Sequence, residues 1–173
     1  YDVAMSRTFV LPVSLPNFTL KQGLSLILPT LIILVPALFR QQFFTGPLIN
    51  ALLILALIYL GRSSALFLAL LPSTVALSVG LLPVVLAPML PFIMISNALY
   101  LLVFANLRGQ RQSKNFLAIV VAALLKAAFL FFISKLLMDN LLSAPLAQQI
   151  AKMMSWPQLW TAVLGGVMAL LIN

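Results

Sequence analysis

The chain has no cysteine, no histidine and no glutamate, and its only carboxylates are Asp2 and Asp139. Each gap removes a class of chemistry. Metal ligation draws on His, Cys, Asp and Glu, so no metal centre is expected; haem and iron–sulfur ligation fall with it. No disulfide can form, so cysteine usage gives no clue to redox compartment. Paired-carboxylate, Ser-His-Asp and Cys-His arrangements lack their parts. No Gly-rich loop ending in Lys-Ser/Thr offers a site for nucleotide phosphates. The chain is therefore expected not to be an enzyme, to use no cofactor and not to hydrolyse ATP by itself.

Charge is scarce as well. Only 7% of the 173 residues are charged and 64% are hydrophobic, against about 25% charged in an ordinary globular domain. Too few polar groups exist to cover a surface facing water, so lipid is the expected solvent and the fold class is all-α integral membrane. The formal net charge of +8 does not point to nucleic acid. The basic residues stand singly between apolar runs, apart from Arg108, Arg111 and Lys114, and in a membrane chain that pattern is an orientation signal.

Basic residues and prolines divide the chain into runs of spanning length, about 20 residues each. Lys21 and Arg40 enclose the first run. Arg40 and Arg62 enclose the second, with helix-start signals at Thr45, Gly46 and Pro47. The 45 uncharged residues from Ser63 to Leu107 are too many for one helix, and Pro83, Pro88 and Pro91 break them. The spans expected are 22–39, 46–61, 63–82, 91–107, 115–138 and 156–173. They form one six-helix transmembrane bundle over residues 21–173, preceded by an N-terminal arm over residues 1–20. No cleavable signal peptide is expected, because about 20 residues precede the first run and further spans follow it. Between the last two spans, Pro145–Met154 has a helical apolar period at Leu146, Ile150, Met153 and Met154. It reads as an interfacial anchor or as a lid over a cavity.

Orientation follows from counting Lys and Arg by side. Arg7, Lys21, Arg62, Arg108, Arg111 and Lys114 share one side, and Arg40, Lys135 and Lys152 the other. Six against three puts both termini in the cytoplasm.

Lys126 is the residue least suited to lipid. It stands near the centre of the fifth span, where a charge costs roughly 2.5–3.5 kcal/mol on insertion scales. Ala118 and Ala122 below it leave that face small, which suits close packing, so Lys126 is expected to face the bundle interior. It is a neutral lysine, one satisfied by carbonyls and water, one snorkelling outward, or one that meets a ligand bearing a carboxylate, phosphate or carbonyl. Asn50, Asn97, Gln158, Thr74, Ser73 and Ser78 all fall in the outer half of the membrane on this topology. Singly, each is ordinary interhelical glue. Their shared depth, with Lys126 beneath, points to a polar pocket opening outward, with Trp156 and Trp160 at its rim or in an interfacial aromatic belt. Small residues recur every fourth position at Ala65, Ala69 and Ser73, and again at Ala162–Gly166 and Gly165–Ala169, marking close helix approaches within the chain or to a partner.

Six spans, cytoplasmic ends and an outer pocket resemble the S components of energy-coupling-factor transporters. The similarity lies chiefly in Gly46-Pro47-Leu48-Ile49-Asn50-Ala51, in Ala87-Pro88-Met89-Leu90-Pro91-Phe92-Ile93-Met94-Ile95-Ser96-Asn97-Ala98, and in Met153-Met154-Ser155-Trp156-Pro157-Gln158. It is strongest to small bacterial proteins labelled iron-hydrogenase associated, a label that cannot place a metal on a chain without His or Cys. The resemblance implies a substrate-binding subunit for a vitamin or micronutrient in the bacterial cytoplasmic membrane. Its partners would be a small-molecule substrate, a transmembrane coupling subunit and ATPase subunits. It also implies a pocket among the last three spans, matching Asn97, Lys126 and Gln158. The family's usual alanine-x-x-x-alanine docking feature is absent from Leu26–Ala37 on the first span, and Ala65, Ala69 and Ser73 are expected to supply the partner-facing groove instead. The alternative expectation is a membrane scaffold anchoring a redox complex, with no ligand of its own. A self-sufficient carrier is disfavoured, since ion-driven carriers commonly use intramembrane carboxylates.

Overall fold

The computed structural model describes residues 19–39, 41–141 and 144–173. The expected arm, residues 1–20, lies outside them except for its last two residues: Leu20 opens the first helix and Thr19 precedes it. Thr19 caps α1 (Leu20–Leu38): its hydroxyl accepts from the Gln22 N–H at 3.3 Å, and the Gln22 side chain accepts from the Thr19 N–H at 2.9 Å. This reciprocal pair satisfies donors that a helix start leaves open.

α2 (Gln42–Tyr59) begins four residues before the expected start at 46. The Thr45 hydroxyl donates to the carbonyls of Phe39 at 2.7 Å and Gln41 at 3.0 Å. That bond ties the first turn back to the end of α1, and Pro47 falls in the second turn instead of opening the helix.

The third expected span, 63–82, is not one helix. It divides into α3 (Arg62–Leu68) and α4 (Leu71–Ser78). Pro72 has no N–H for the carbonyl of Leu68, and its ring disfavours helix on the preceding side. α4 then stops short of the expected end at 82. Gly80 takes a φ of +74°, and the N–H groups of Gly80 and Leu82 turn back to Leu77 and Ala76 at 3.2 and 2.9 Å, closing the helix end.

The proline-rich connection forms a short 3-10 helix, Val84–Met89. α5 (Leu90–Leu107) follows with Pro91 in its first turn, where proline is tolerated. α6 (Gln112–Leu141) overruns the expected 115–138 at both ends. α7 (Ala144–Met153) is the expected amphipathic helix, and α8 (Trp156–Ile172) ends the described chain. With α3 and α4 taken as one broken passage and α7 as a connection, six helical passages form the bundle. Four stretches are long and apolar enough to cross a membrane: Gln42–Tyr59, Val84–Leu107, Gln112–Leu137 and Ile150–Ile172. Gln22–Leu38 and Arg62–Ser78 are shorter apolar helices.

α2 packs on α8, α5 on α6, and α6 on α8, with α1 laid against α2 and α4. The small residues of α8 explain the closest of these approaches. A Cβ on Gly165 would collide with the Pro47 carbonyl and come within 2.6 Å of Asn50 Cβ, and one on Gly166 would come within 2.6 Å of the Tyr100 hydroxyl. The neighbours of this small-residue face are thus α2, α5 and α6 of the same chain. A main core built on Leu53, Ile54, Leu101, Phe104 and Ile119 fills the bundle. A second core joins Leu86, Met89, Leu130, Ile150 and Met154. It packs the 3-10 helix and the apolar side of α7 over the C-terminal half of α6, near the N-termini of α5 and α8.

The exterior of the bundle is apolar as well as its core, and a few polar side chains are buried. Leu26, Ile27, Phe67, Leu117, Phe132 and Leu171 are exposed, whereas Asn50, Asn97, Lys126, Ser134 and Thr161 are buried.

Candidate binding site

Lys126 lies inside the bundle, 2% exposed. Ala118, Ala122, Ala123 and Ala127 around it on α6 are buried as well, and their small side chains leave room for helices to close around the long lysine stem. Its Nζ donates to Asn50 Oδ1 of α2 at 2.7 Å and to Asn97 Oδ1 of α5 at 2.8 Å. It also sits 5.4 Å from the centroid of the Tyr100 ring, within range of a cation–π attraction.

Each asparagine is held from its other end. Asn50 Nδ2 donates to the Gly46 carbonyl at 2.9 Å, and Asn97 Nδ2 donates to the Ala69 carbonyl at 3.3 Å. The second contact depends on the break between α3 and α4, which leaves the Ala69 carbonyl available. Tyr100 is fixed by its hydroxyl, which donates to the Ala162 carbonyl at 2.8 Å. Five passages therefore meet at one lysine. Hydrogen bonds to a charged group are worth about 1.5–3 kcal/mol each, so two of them offset much of the cost of burying the ammonium. One of its three N–H groups has no hydrogen-bond partner among the described residues.

A cavity of about 110 Å³ adjoins this cluster. Its polar wall comprises Lys126, Asn50, Asn97, Ser73, Gln158, Gln42 and Thr45, and its apolar wall includes Ile49, Ile93 and Met154. The Ser73 hydroxyl is buried and has no hydrogen-bond partner. Among the described residues, no carboxylate lines the cavity, and no group of His, Cys, Asp or Glu could hold a metal.

Of the residues expected to form a site, Lys126, Asn97, Asn50 and Gln158 come together. Two others do not join them. Thr74 is exposed, and its hydroxyl turns back to the Leu71 carbonyl at 2.7 Å, so Ser73 rather than Thr74 meets the cavity. Trp156 is 69% exposed and borders a separate surface groove with Phe43 and Trp160.

The expected partner-facing groove is also corrected. Ala65 and Ala69 are wholly buried, and Ser73 lines the cavity. Their fourfold spacing serves contact with α2 and α5 within the chain, so they present no face to another subunit. Sequence reasoning missed Tyr100, Gln42, Thr45 and Met154. Tyr100 had a signal: it stands three positions after Asn97, hence on the same helix face, and a buried tyrosine hydroxyl needs a partner.

No family model, curated protein or solved structure matches the chain.

Proposed function

We propose that the chain is an integral membrane protein that captures a small polar solute in the cavity beside Lys126. In this reading it is the substrate-binding subunit of an uptake system of the energy-coupling-factor type. A transmembrane coupling subunit and ATPases supply the energy, because the chain has no phosphate loop. The observation that carries the reading is a buried lysine with an uncommitted N–H at the wall of a cavity that Ser73, whose buried hydroxyl is unpartnered, also lines. The apolar exterior, with Leu117 and Phe132 exposed on the same helix that buries Lys126, supports lipid as the surrounding solvent. The basic-residue count supports cytoplasmic termini. Gln110→Cys should resist a membrane-impermeant thiol reagent in intact cells while Gln148→Cys reacts; the reverse pattern inverts the cavity.

A second reading has its own support. The two asparagine carbonyls that Lys126 holds come from two different helices, as a structural clamp in a scaffold subunit would require.

Lys126→Met separates the two. It strands the Asn50 and Asn97 carbonyls, at a cost of about 1–3 kcal/mol per unsatisfied group. The triple change Lys126→Met, Asn50→Leu, Asn97→Leu removes donor and acceptors together and should recover part of that loss, the remainder being the Ala69 carbonyl that Asn97 no longer serves. Melting in detergent reads the stability of both. If the site captures solute, the folded triple variant releases whatever small molecule co-purifies with the natural protein. If the cluster is a clamp alone, the triple variant melts lower than the natural chain and loses no small molecule, because none was bound.

A further inference from the structure

Resting on the capture reading, we infer that the solute is a small monoanion, a carboxylate of about two to four carbons, seated on the free N–H of Lys126 and the Ser73 hydroxyl.

Charge comes first. Among the described residues, the cavity wall holds one basic side chain, Lys126, and no carboxylate. The groups already bound to Lys126 are neutral amide carbonyls, which satisfy hydrogen bonds without neutralising charge. A solute carrying one negative charge would complete an ion pair in a low-dielectric site, where such a pair is far stronger than in water. A cation would meet like charge there.

The donor pattern agrees. The Asn50 and Asn97 amides turn their oxygens to the lysine and their nitrogens to backbone carbonyls, so neither offers the cavity an oxygen that is free of the lysine. What remains uncommitted is one ammonium N–H, the Ser73 hydroxyl, which is 5% exposed and without a hydrogen-bond partner, and the side-chain amides of Gln42 and Gln158 on the same wall, which can donate as well as accept. A carboxylate with two acceptor oxygens matches two donors at once.

Size limits the remainder. A cavity of about 110 Å³ is smaller than the roughly 150 Å³ cavity known to admit benzene, and well below the roughly 300–1,000 Å³ of sites for drug-sized ligands. Within its walls there is room for about four to six non-hydrogen atoms, and because it is open on one side, only the carboxylate and first few carbons of a longer chain would be held there. Ile49, Ile93 and Met154 supply an apolar wall suited to a short alkyl chain. A ligand of that size binds no more tightly than about micromolar, given the ceiling on binding per atom.

The test is calorimetric titration of the full-length protein in mild detergent at neutral pH, where a simple carboxylate is ionised. Propionate should bind at least tenfold more tightly than propionamide, which has the same shape and no charge. Ser73→Ala should weaken propionate about fivefold, the loss of one ordinary hydrogen bond. Lys126→Met should weaken it about 10- to 150-fold. The propionate–propionamide comparison uses the natural chain, so it stands even where Lys126→Met fails to fold. Octanoate should bind no better than propionate. A steady gain with each added methylene would locate the anion on a lipid acyl chain and overturn the assignment of a free short acid. Equal binding of propionamide would overturn the anion while leaving solute capture intact. Failure of both probes, with a larger molecule co-purifying and displaceable, would overturn the size argument alone. Failure of both with no bound molecule would sink the capture reading together with this inference.

Discussion

The α2–α8 seam bounds the cavity through Asn50 and Gln158, the cap formed by Val84–Met89 and α7 reaches it only through Met154, and the two are built by opposite means. In the seam, backbones touch. Gly165 lies against the Pro47 carbonyl and the backbone N–H of Ala51, and Asn50, one residue from that contact, is held where it can reach Lys126. In the cap, side chains do the holding: Leu86, Met89, Ile150 and Met154 meet Leu130 of α6 in a small core of their own. Hydrogen-bond geometry at Lys126 is thus set where backbone contact fixes the helices relative to each other. The roof of the cavity, through Met154, is set by apolar contacts that single truncations can remove.

The largest expected effect breaks the seam. Gly165→Leu places four carbons where even a Cβ has no room, and the obstacle is backbone rather than a flexible side-chain end. The loss should exceed the roughly 1–3 kcal/mol of ordinary overpacking and appear as failure to recover a folded, monodisperse protein in detergent. Normal melting of this variant would mean that α2 and α8 are not in contact.

Truncating the cap sharpens the contrast. Ile150→Ala and Leu53→Ala each remove a buried aliphatic side chain, a change that costs about 2–5 kcal/mol. For Leu53, inside the main core, the whole melting transition should fall. For Ile150, the loss should appear as faster amide hydrogen exchange across α7, with the amides of α2 still protected. A uniform rise in exchange over the bundle would show that cap and bundle are one cooperative unit.

The smallest effect comes from Thr74→Ala. The Thr74 hydroxyl only returns to the carbonyl one turn back, so stability should stay within about 0.5 kcal/mol and solute binding should not change. Its neighbour Ser73→Ala differs in binding and serves as the paired control. A binding loss in Thr74→Ala equal to that of Ser73→Ala would mean that α4 is rotated relative to its place here.

Much of the fold was legible because lipid-suited runs are long and interrupted by few residue types. Six passages, the proline-rich connection and the amphipathic α7 all follow from apolar length and period. The cluster of Lys126, Asn50, Asn97 and Gln158 was legible for a related reason. A polar side chain in an apolar helix has few comfortable places, and shared depth along antiparallel helices brings such residues together. The break between α3 and α4 was harder to read. A single proline near a helix start is compatible with either a continuous or a divided helix, and here contacts of α4 with α1 and α5 accompany the division.

The sequence by itself determined which polar residues stand inside apolar helices and how far along each they lie, because hydropathy and helical rise are local properties. Only the tertiary structure decided which way each helix is turned. Rotation about a helix axis separates Ser73 from Thr74, and buries Ala65 and Ala69 against their own bundle where spacing alone allowed a partner. That rotation is set by where backbones can touch, at Gly165 and Gly166 above all, and by the carbonyl of Ala69 that a broken helix leaves for Asn97. Neither is a property of any one segment.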